Sequence, residues 1–348
     1  MNILVSPLSV KINPYIDLFY SALKQANPQV KLLPFRLCNF FKSIDLCHFH
    51  WPEAFLNKKS FINKLIEFVS LYIKITILKI LKVKLVWTVH NFRPHECIEV
   101  HWIERLFYKF WISSVDAFIF LTDASRIEFF EQYNQRKLSK VIPHGHYKDI
   151  YQTICASDRF KNLFQVQPKD FIIGHYGLIR RYKNIPRLIR QFKYLEGDDY
   201  KLIIAGSIHK ADSDLREEIK CAADGDDRIF LHFDYIEHEE IKELYEFTNL
   251  AVFPYDRVTN SGSALLALSF NCPVIVPDNP YMKELKDTIA SSKVLFFKGD
   301  AIFNEYLLEG IDSFTGIKKD KEEINLSYYD WSKIGIDTDA FFQVVIDL

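Results

Sequence analysis

The feature that most constrains this chain is a rhythm of short apolar runs separated by longer amphipathic stretches, and the rhythm runs through twice. In the first half the runs are Ile3–Val5, Lys31–Pro34, Leu46–His50, Leu85–Val89, Ala117–Leu121 and Val141–Ile142. In the second half they are Phe171–His175, Leu202–Ala205, Ile229–His232, Leu250–Phe253, Val274–Val276 and Val294–Phe297. Runs of this length are strands, and helical stretches of about ten residues or more between them make right-handed βαβ units with parallel pairing. The expected fold class is therefore α/β, with two tandem Rossmann-like domains. We place the N-terminal domain at residues 1–150 and the C-terminal domain at 165–325, with a final helix at 326–348. The joint falls in the polar stretch Tyr147–Gln167, and no solenoid repeat or low-complexity tract interrupts the pattern.

Composition removes several classes of function. With 348 residues, 49% hydrophobic and 26% charged, the chain can bury two ordinary cores and is not disordered. The opening Met1-Asn2-Ile3-Leu4-Val5-Ser6-Pro7 reads as a first strand rather than a signal segment, so a cytoplasmic location is expected. Six cysteines without a CxxC pair suit a reducing compartment and a packing role. Residues 1–150 hold 20 Lys and Arg against 12 Asp and Glu, whereas 151–348 hold 24 against 33. Part of the basic surplus lies in Lys58–Lys84, where lysines punctuate a run rich in Leu, Ile and Phe too often for a membrane span. We read it as a domain helix with lysine stems lying along it, the other reading being a cationic amphipathic surface for peripheral contact with anionic lipid. No nucleic-acid module is recognisable, and nucleic acid is not an expected partner.

In doubly wound sheets ligands bind at the carboxyl ends of the strands. Most of the eleven histidines stand at such ends: His48-Phe49-His50-Trp51-Pro52-Glu53, His90-Asn91-Phe92-Arg93-Pro94-His95-Glu96 and Pro143-His144-Gly145-His146-Tyr147. In the second half Gly174-His175-Tyr176-Gly177-Leu178-Ile179-Arg180-Arg181-Tyr182-Lys183-Asn184 sets cations between a strand and the helix Ile185–Phe192. An Arg and a Lys three residues apart can converge on one diphosphate and neutralise the charge of a departing group; a solvated loop with capping charges reads equally well. Phe253-Pro254-Tyr255-Asp256-Arg257-Val258-Thr259-Asn260-Ser261-Gly262-Ser263 runs from strand through a small-residue loop into a helix start. Exposed amides there hold an anion, and Gly262 permits close approach. A plain Ser/Asn cap explains the helix start as well, but not its pairing with Arg180 and Lys183.

On these motifs the sequence resembles GT-B glycosyltransferases over nearly its whole length, and among them bacterial exopolysaccharide mannosyltransferases of the xanthan-assembly kind. The matching runs are Asn13-Pro14-Tyr15, His48–Glu53, Trp87-Thr88-Val89-His90-Asn91, Pro94-His95-Glu96, Ile142–Tyr147, Tyr182-Lys183-Asn184 and Thr259–Ser263. The resemblance implies a ligand cleft between the domains, a nucleotide-diphosphate sugar as donor and a saccharide or polyprenyl-diphosphate-linked oligosaccharide as acceptor. GDP-mannose is favoured, with UDP-linked sugars next. It implies that Gly177, Arg180, Lys183, Asn184, Tyr255 and Thr259, Asn260, Ser261, Gly262 and Ser263 hold the donor. His90 would lie against the donor sugar, and the segment around Tyr329-Asp330-Trp331 would cross back to the first domain. Asn13, Trp51, Asn91, His144 and His146 are the expected acceptor contacts.

One departure matters. The retaining branch carries two glutamates eight residues apart before its Pro-Val-Ile strand, and the matching positions here are Val258 and Leu266. We therefore expect inversion, with a base on the first domain: Glu53 in preference, then Glu96, with His50 and His90 as substitutes. No metal and no cofactor are expected. Asp212-x-Asp214, Asp224-x-Asp226 and Asp337-x-Asp339 read as solvated acids rather than a metal site. The rival readings are a metal-dependent hydrolase built on the His48-x-His50 and His144-x-His146 pairs, and a sugar-nucleotide-binding protein without catalysis. An oxidoreductase lacks its G-x-G-x-x-G.

Overall fold

The computed structural model describes residues 1–10, 14–57, 60–90, 102–148, 150, 158–256, 262–299, 303–314 and 323–348. The chain forms two compact units: Met1–Gly145 with Ser327–Leu348, and His146–Leu326.

The first unit carries strands β1 (Asn2–Ser6), β2 (Lys31–Pro34), β3 (Leu46–Phe49), β4 (Lys84–Val89), β5 (Ala117–Phe120) and β6 (Leu138–Val141). They form one parallel sheet in the order β2-β1-β3-β4-β5-β6. The second unit repeats the plan with β7 (Phe171–Tyr176), β8 (Tyr200–Ala205), β9 (Ile229–His232), β10 (Leu250–Val252), β11 (Val274–Pro277) and β12 (Val294–Phe297). Its parallel order is β12-β11-β10-β7-β8-β9. Central strands such as β3, β5 and β7 are buried at every position, which is why they read as mainly apolar runs, broken only where His48 and Gly174-His175 stand. At the edge the reading shifts: β6 covers Leu138–Val141 rather than Val141–Ile142, because an edge strand tolerates Ser139 and Lys140 and leaves only a short apolar run.

Helices cover both faces of each sheet. On one face of the first, Ile3, Leu46, Val86 and Ile119 meet the helix Tyr15–Ala26 and the final helix Trp331–Ile346, the latter through Ile334 and Phe342. Those two helices approach so closely that a Cβ at Gly335 would strike the Ala22 carbonyl. Gly335→Ala should therefore cost about 1–3 kcal/mol, read by denaturant unfolding, as overpacking does elsewhere. On the other face the aromatic content is spent in one cluster, where Trp87 sits 6.1 Å from Trp111 and 5.7 Å from Phe129. In the second unit Ile173, Leu202 and Ile204 pack beneath Leu188, Ile189 and Phe192 of the helix Ile185–Phe192.

The Lys58–Lys84 region contains the helix Phe61–Ile80. Only Phe68, Ile75 and Leu78 of that helix are buried, so it meets the domain along a narrow stripe and its outer face is not the polar one expected of a packed domain helix.

Candidate functional site

Strand order places the sites. In the first sheet the chain turns from β1 outward to β2 and then back past β1 to β3, so the topological switch lies between β1 and β3. In the second it lies between β7 and β10. Loops leaving the carboxyl ends of these two pairs diverge and open a crevice, where ligands of doubly wound sheets bind.

At the first switch, His50 follows β3 and is held by its amide, which donates to Ser6 O (3.0 Å). Its Nδ1 shares a hydrogen bond of 3.0 Å with Nε2 of His90, which follows β4. Trp51 stacks on the His90 ring at 4.4 Å and 23°. Tyr15, from the first helix, meets the rings of His90 at 5.1 Å, His50 at 5.7 Å and His144 at 4.6 Å. The His144 Nδ1–H donates to the Gly145 carbonyl (2.8 Å), and Trp331 stands 5.9 Å from Tyr15. Tyr15 and His50 are buried beneath this cluster, while Trp51, His144 and Trp331 stay half-buried and give it an aromatic rim suited to a sugar, whose apolar face stacks on such rings. Burial holds His50 and His90 well below the ordinary histidine range, and their imidazole neighbours push the same way, so both are neutral near pH 7. Deeper in, His48 is clamped between Tyr20 Oη (3.0 Å) and Thr88 Oγ1 (2.8 Å), and burial lowers its pKa to about 3.

Glu53 lies in the 3₁₀ turn Pro52–Asn57 just beyond β3. It is 6% exposed, and its Oε2 is buried with no hydrogen-bond partner among the described residues. Desolvation raises its pKa to about 8. Among the described candidates it is the strongest proton acceptor, because the depressed histidines bind a proton weakly.

At the second switch the loop after β7 is zipped to the loop after β8 by Gly177 N–H to Ala205 O (2.9 Å), Ile179 N–H to Ser207 O (2.8 Å) and His209 N–H to Ile179 O (3.1 Å). Gly206, at φ +141°, lies so near the Gly177 carbonyl that no Cβ fits between them. The zipper presents Arg180, whose Nε donates to Asp212 Oδ2 at 2.8 Å. Lys183 ends the next 3₁₀ turn, and Asn184, left-handed at φ 53°, redirects the chain into the helix Ile185–Phe192. On the other side of the switch, Asp256 accepts from Asn184 Nδ2 (2.9 Å), and its amide donates to Tyr182 O (3.2 Å). These ties bring Tyr255 under the Lys183 ammonium, 5.6 Å from its ring centroid. His175, at the end of β7, donates from Nδ1 to Val252 O (2.8 Å) and keeps its buried Nε2 without a partner among the described residues.

Lys183 is the telling residue. It is 5% exposed and has no carboxylate partner among the described residues, while burial and then the charge of Arg180 lower its pKa to about 8. A buried unpaired ammonium is costly, and it becomes favourable only when an anion arrives. The helix Gly262–Ser269, which begins with Gly262 and Ser263, follows the same side of the switch, and its N-terminal end favours negative charge.

Of the residues expected from sequence, His50, Trp51, His90 and His144 are brought together, as are Gly177, Arg180, Lys183, Asn184 and Tyr255. His146 belongs to the second unit, its Nδ1 accepting from the Lys148 amide at 3.3 Å. Asn13, Asn91, Glu96, Thr259, Asn260 and Ser261 lie outside the described residues. Three residues escaped the sequence reading: Tyr15, His175 and Asp212. The first two stand inside runs already singled out, so proximity to strand ends could have found them. Asp212 corrects an expectation, for it is not a solvated acid but 14% exposed and paired with Arg180. The zinc reading of His48-x-His50 also fails on chemistry, because both ring nitrogens of His48 are engaged.

Residues 157–323 match the family described as "Glycosyl transferases group 1". Over 323 residues the chain is 27% identical to the GDP-mannose:glycolipid 4-beta-D-mannosyltransferase of Xanthomonas campestris pv. campestris, with 93% of this chain and 86% of that one covered. Among solved structures it is similar to sucrose-phosphate synthase from Thermosynechococcus elongatus, with a TM-score of 0.66 at 15% identity, covering 98% of this chain and 82% of that one. It is likewise similar to Anabaena HepE in complex with UDP, with a TM-score of 0.64 at 13% identity, covering 99% and 98%. The structural likenesses establish the fold.

Proposed function

Because the chain carries a glycosyl transferases group 1 domain within a GT-B fold and is a glycosyltransferase, we propose that it moves mannose from GDP-mannose to a lipid-linked saccharide, with inversion and without a resident metal. The observation that carries the donor half is the buried Lys183 beside Arg180 at the second switch point, without a carboxylate partner among the described residues. A diphosphate would supply the counter-ion that Lys183 lacks among the described residues, beside an Arg180 already held by Asp212, and both cations gain most when the leaving diphosphate takes on charge. Mannose and the glycolipid acceptor are suggested by the Xanthomonas relative, whose name specifies both. That name also specifies a β linkage. Formation of a β-mannoside from an α-linked donor is a single displacement.

In this reading Glu53 takes the proton of the acceptor hydroxyl as its oxygen bonds to the anomeric carbon. The carbon–oxygen bond to the diphosphate breaks on the opposite face, and the electron pair leaves with GDP. Lys183 and Arg180 neutralise it, so no Lewis acid is required of a metal. Trp51, His90 and His144, backed by the buried Tyr15 and His50, form the acceptor surface of the first unit; Asn13, Asn91 and His146 are the further acceptor candidates, and Glu96 is the second candidate for the base. Asn184, Tyr255, Gly177 and the run Thr259–Ser263 complete the donor site. We assign the protein to the cytoplasmic face of a membrane, where a nucleotide sugar meets a lipid carrier.

A thermal-shift series followed by turnover assays tests the reading. GDP and GDP-mannose should raise the melting temperature, UDP and UDP-glucose much less, and transfer from GDP-mannose should survive EDTA. Stabilisation by UDP alone would reassign the donor, and loss of transfer restored by added Mg²⁺ or Mn²⁺ would remove the metal-free mechanism.

A further inference from the structure

The outer face of the helix Phe61–Ile80 is not accounted for by the fold. Ile62, Ile66, Val69, Ile73, Thr76 and Ile80 recur at intervals of three and four residues and so form one stripe along the helix. The stripe points away from the buried Phe68, Ile75 and Leu78. Ile62 is 67% exposed, Ile66 60%, Ile73 52% and Ile80 74%. Leu65 and Tyr72 widen the stripe, and neither of them nor any stripe residue is charged. The helix Trp102–Ser114 lies alongside, with Trp102 5.9 Å from Phe61 and Phe110 4.7 Å from Tyr72. It adds exposed Trp102 and Leu106 to the apolar surface and Arg105 and Lys109 beside them. A surface helix of a globular domain normally turns its polar side outward, so an apolar outer stripe about 27 Å long needs an occupant.

We propose that this face lies in the headgroup–acyl boundary of an anionic phospholipid membrane, with Ile62, Ile66, Ile73, Ile80 and Trp102 entering the apolar edge and the basic side chains meeting the phosphates. The sign of charge decides for lipid. Lys64, Lys74, Arg105 and Lys109 occupy the two helices against Glu67 and Glu104, of which Glu104 is buried, while a fifth cation, Lys79, is held by Asp116 at 2.8 Å. A second copy seated on the same face would bring these cations against themselves, whereas anionic headgroups neutralise them. No helix among the described residues is long and apolar enough to cross a membrane, so contact through this helix is interfacial. The placement of an exposed tryptophan beside the stripe fits the same depth, since indole partitions to the headgroup level. The proposal rests on the lipid-linked acceptor only for its purpose: it names the surface that brings the first unit to that substrate.

The test uses the full-length protein and two measurements. Flotation with vesicles of phosphatidylcholine and phosphatidylglycerol should recover the wild-type protein, less so in high salt and less on pure phosphatidylcholine. Ile66→Glu/Ile73→Glu should lower partitioning at least about tenfold, and Arg105→Gln/Lys109→Gln should lower it chiefly on the anionic vesicles. Because these side chains are exposed, the melting temperature should not move. Transfer from GDP-mannose to a water-soluble acceptor should be unchanged in both variants, which separates the two readings: failure of soluble transfer in every form counts against the proposed reaction and leaves the membrane face standing. A wild-type protein that ignores both vesicles, or an isoleucine double variant that floats like wild type, overturns the proposal. So does a wild-type dimer made monomeric by Ile66→Glu/Ile73→Glu without any vesicle binding.

Discussion

Lys183→Met should lower kcat/KM for the donor by about 10²–10³ while leaving the melting temperature unchanged or higher. The first half follows from the position of the ammonium, between Arg180 and Tyr255 at the switch point, where its charge is needed most as the diphosphate departs. The second follows from its lack of a carboxylate partner among the described residues: methionine fills the same space and removes a buried charge that none of their carboxylates compensates. An ordinary structural lysine would behave the other way, losing stability and keeping turnover. Lys183→Arg provides a control, because it keeps the charge at every accessible pH. The two measurements are steady-state kinetics and thermal unfolding of the same preparations. A Lys183→Met enzyme with normal kcat/KM would remove this residue from the donor site.

Glu53→Gln should lower kcat by about 10²–10⁴ with little change in donor affinity, the signature of a lost general base. The carboxyl is buried, one oxygen lacks a partner among the described residues, and desolvation has lifted its pKa to about 8. Linkage gives a second readout. A glutamate whose folded pKa is raised from 4.5 to about 8 contributes stability at low pH that is lost as pH rises through 8, since the ion is then buried without compensation. Glutamine never ionises, so the variant should be at least as stable as wild type at pH 9. The two residues together predict a pH profile. Activity should rise with pH as Glu53 loses its proton near 8 and fall as Lys183 loses its own near 8, giving a narrow bell on the alkaline side of neutral. Lys183→Arg should move the falling limb to higher pH and leave the rising limb in place. A flat profile from pH 6 to 9.5 would count against both assignments.

Lys183 and Glu53 share a pattern. Each is a charge-bearing group kept nine-tenths buried and incompletely satisfied, at the carboxyl end of a strand beside the point where the sheet reverses. Such arrangements cost stability and are retained where a ligand completes them. The exposed isoleucines of the helix Phe61–Ile80 pose the same question for apolar surface, and a lipid boundary answers it.

Strands were legible because a parallel strand covered by helices on both faces is largely apolar, so β5 and the first half of β7 appear as uninterrupted runs that need no partner to be recognised. The helix Ile185–Phe192 was legible from its own residues, with Asn184 before it and Pro186 in its first turn. Local chemistry also exposed the candidate loops, since histidines, aromatics and cations gathered directly after apolar runs. What no run of residues could disclose was which loops meet. His50 reaches His90 because β3 and β4 are neighbours in register, and Lys183 reaches Tyr255 because β10 returns to the far side of β7. Asp212 looked like a solvated acid for the same reason, its partner Arg180 standing 32 residues away. The periodicity of Phe61–Ile80 declared a helix, but its apolar residues nearly encircle it, and only packing selected the narrow stripe at Phe68, Ile75 and Leu78 as the buried one. Sequence by itself determined the elements, their order and the chemistry at their ends, because these depend on neighbours along the chain. Tertiary structure alone decided strand order, and with it which side chains share a crevice, which charges stay unpaired and which apolar face is left bare, because each is a contact between residues distant in sequence.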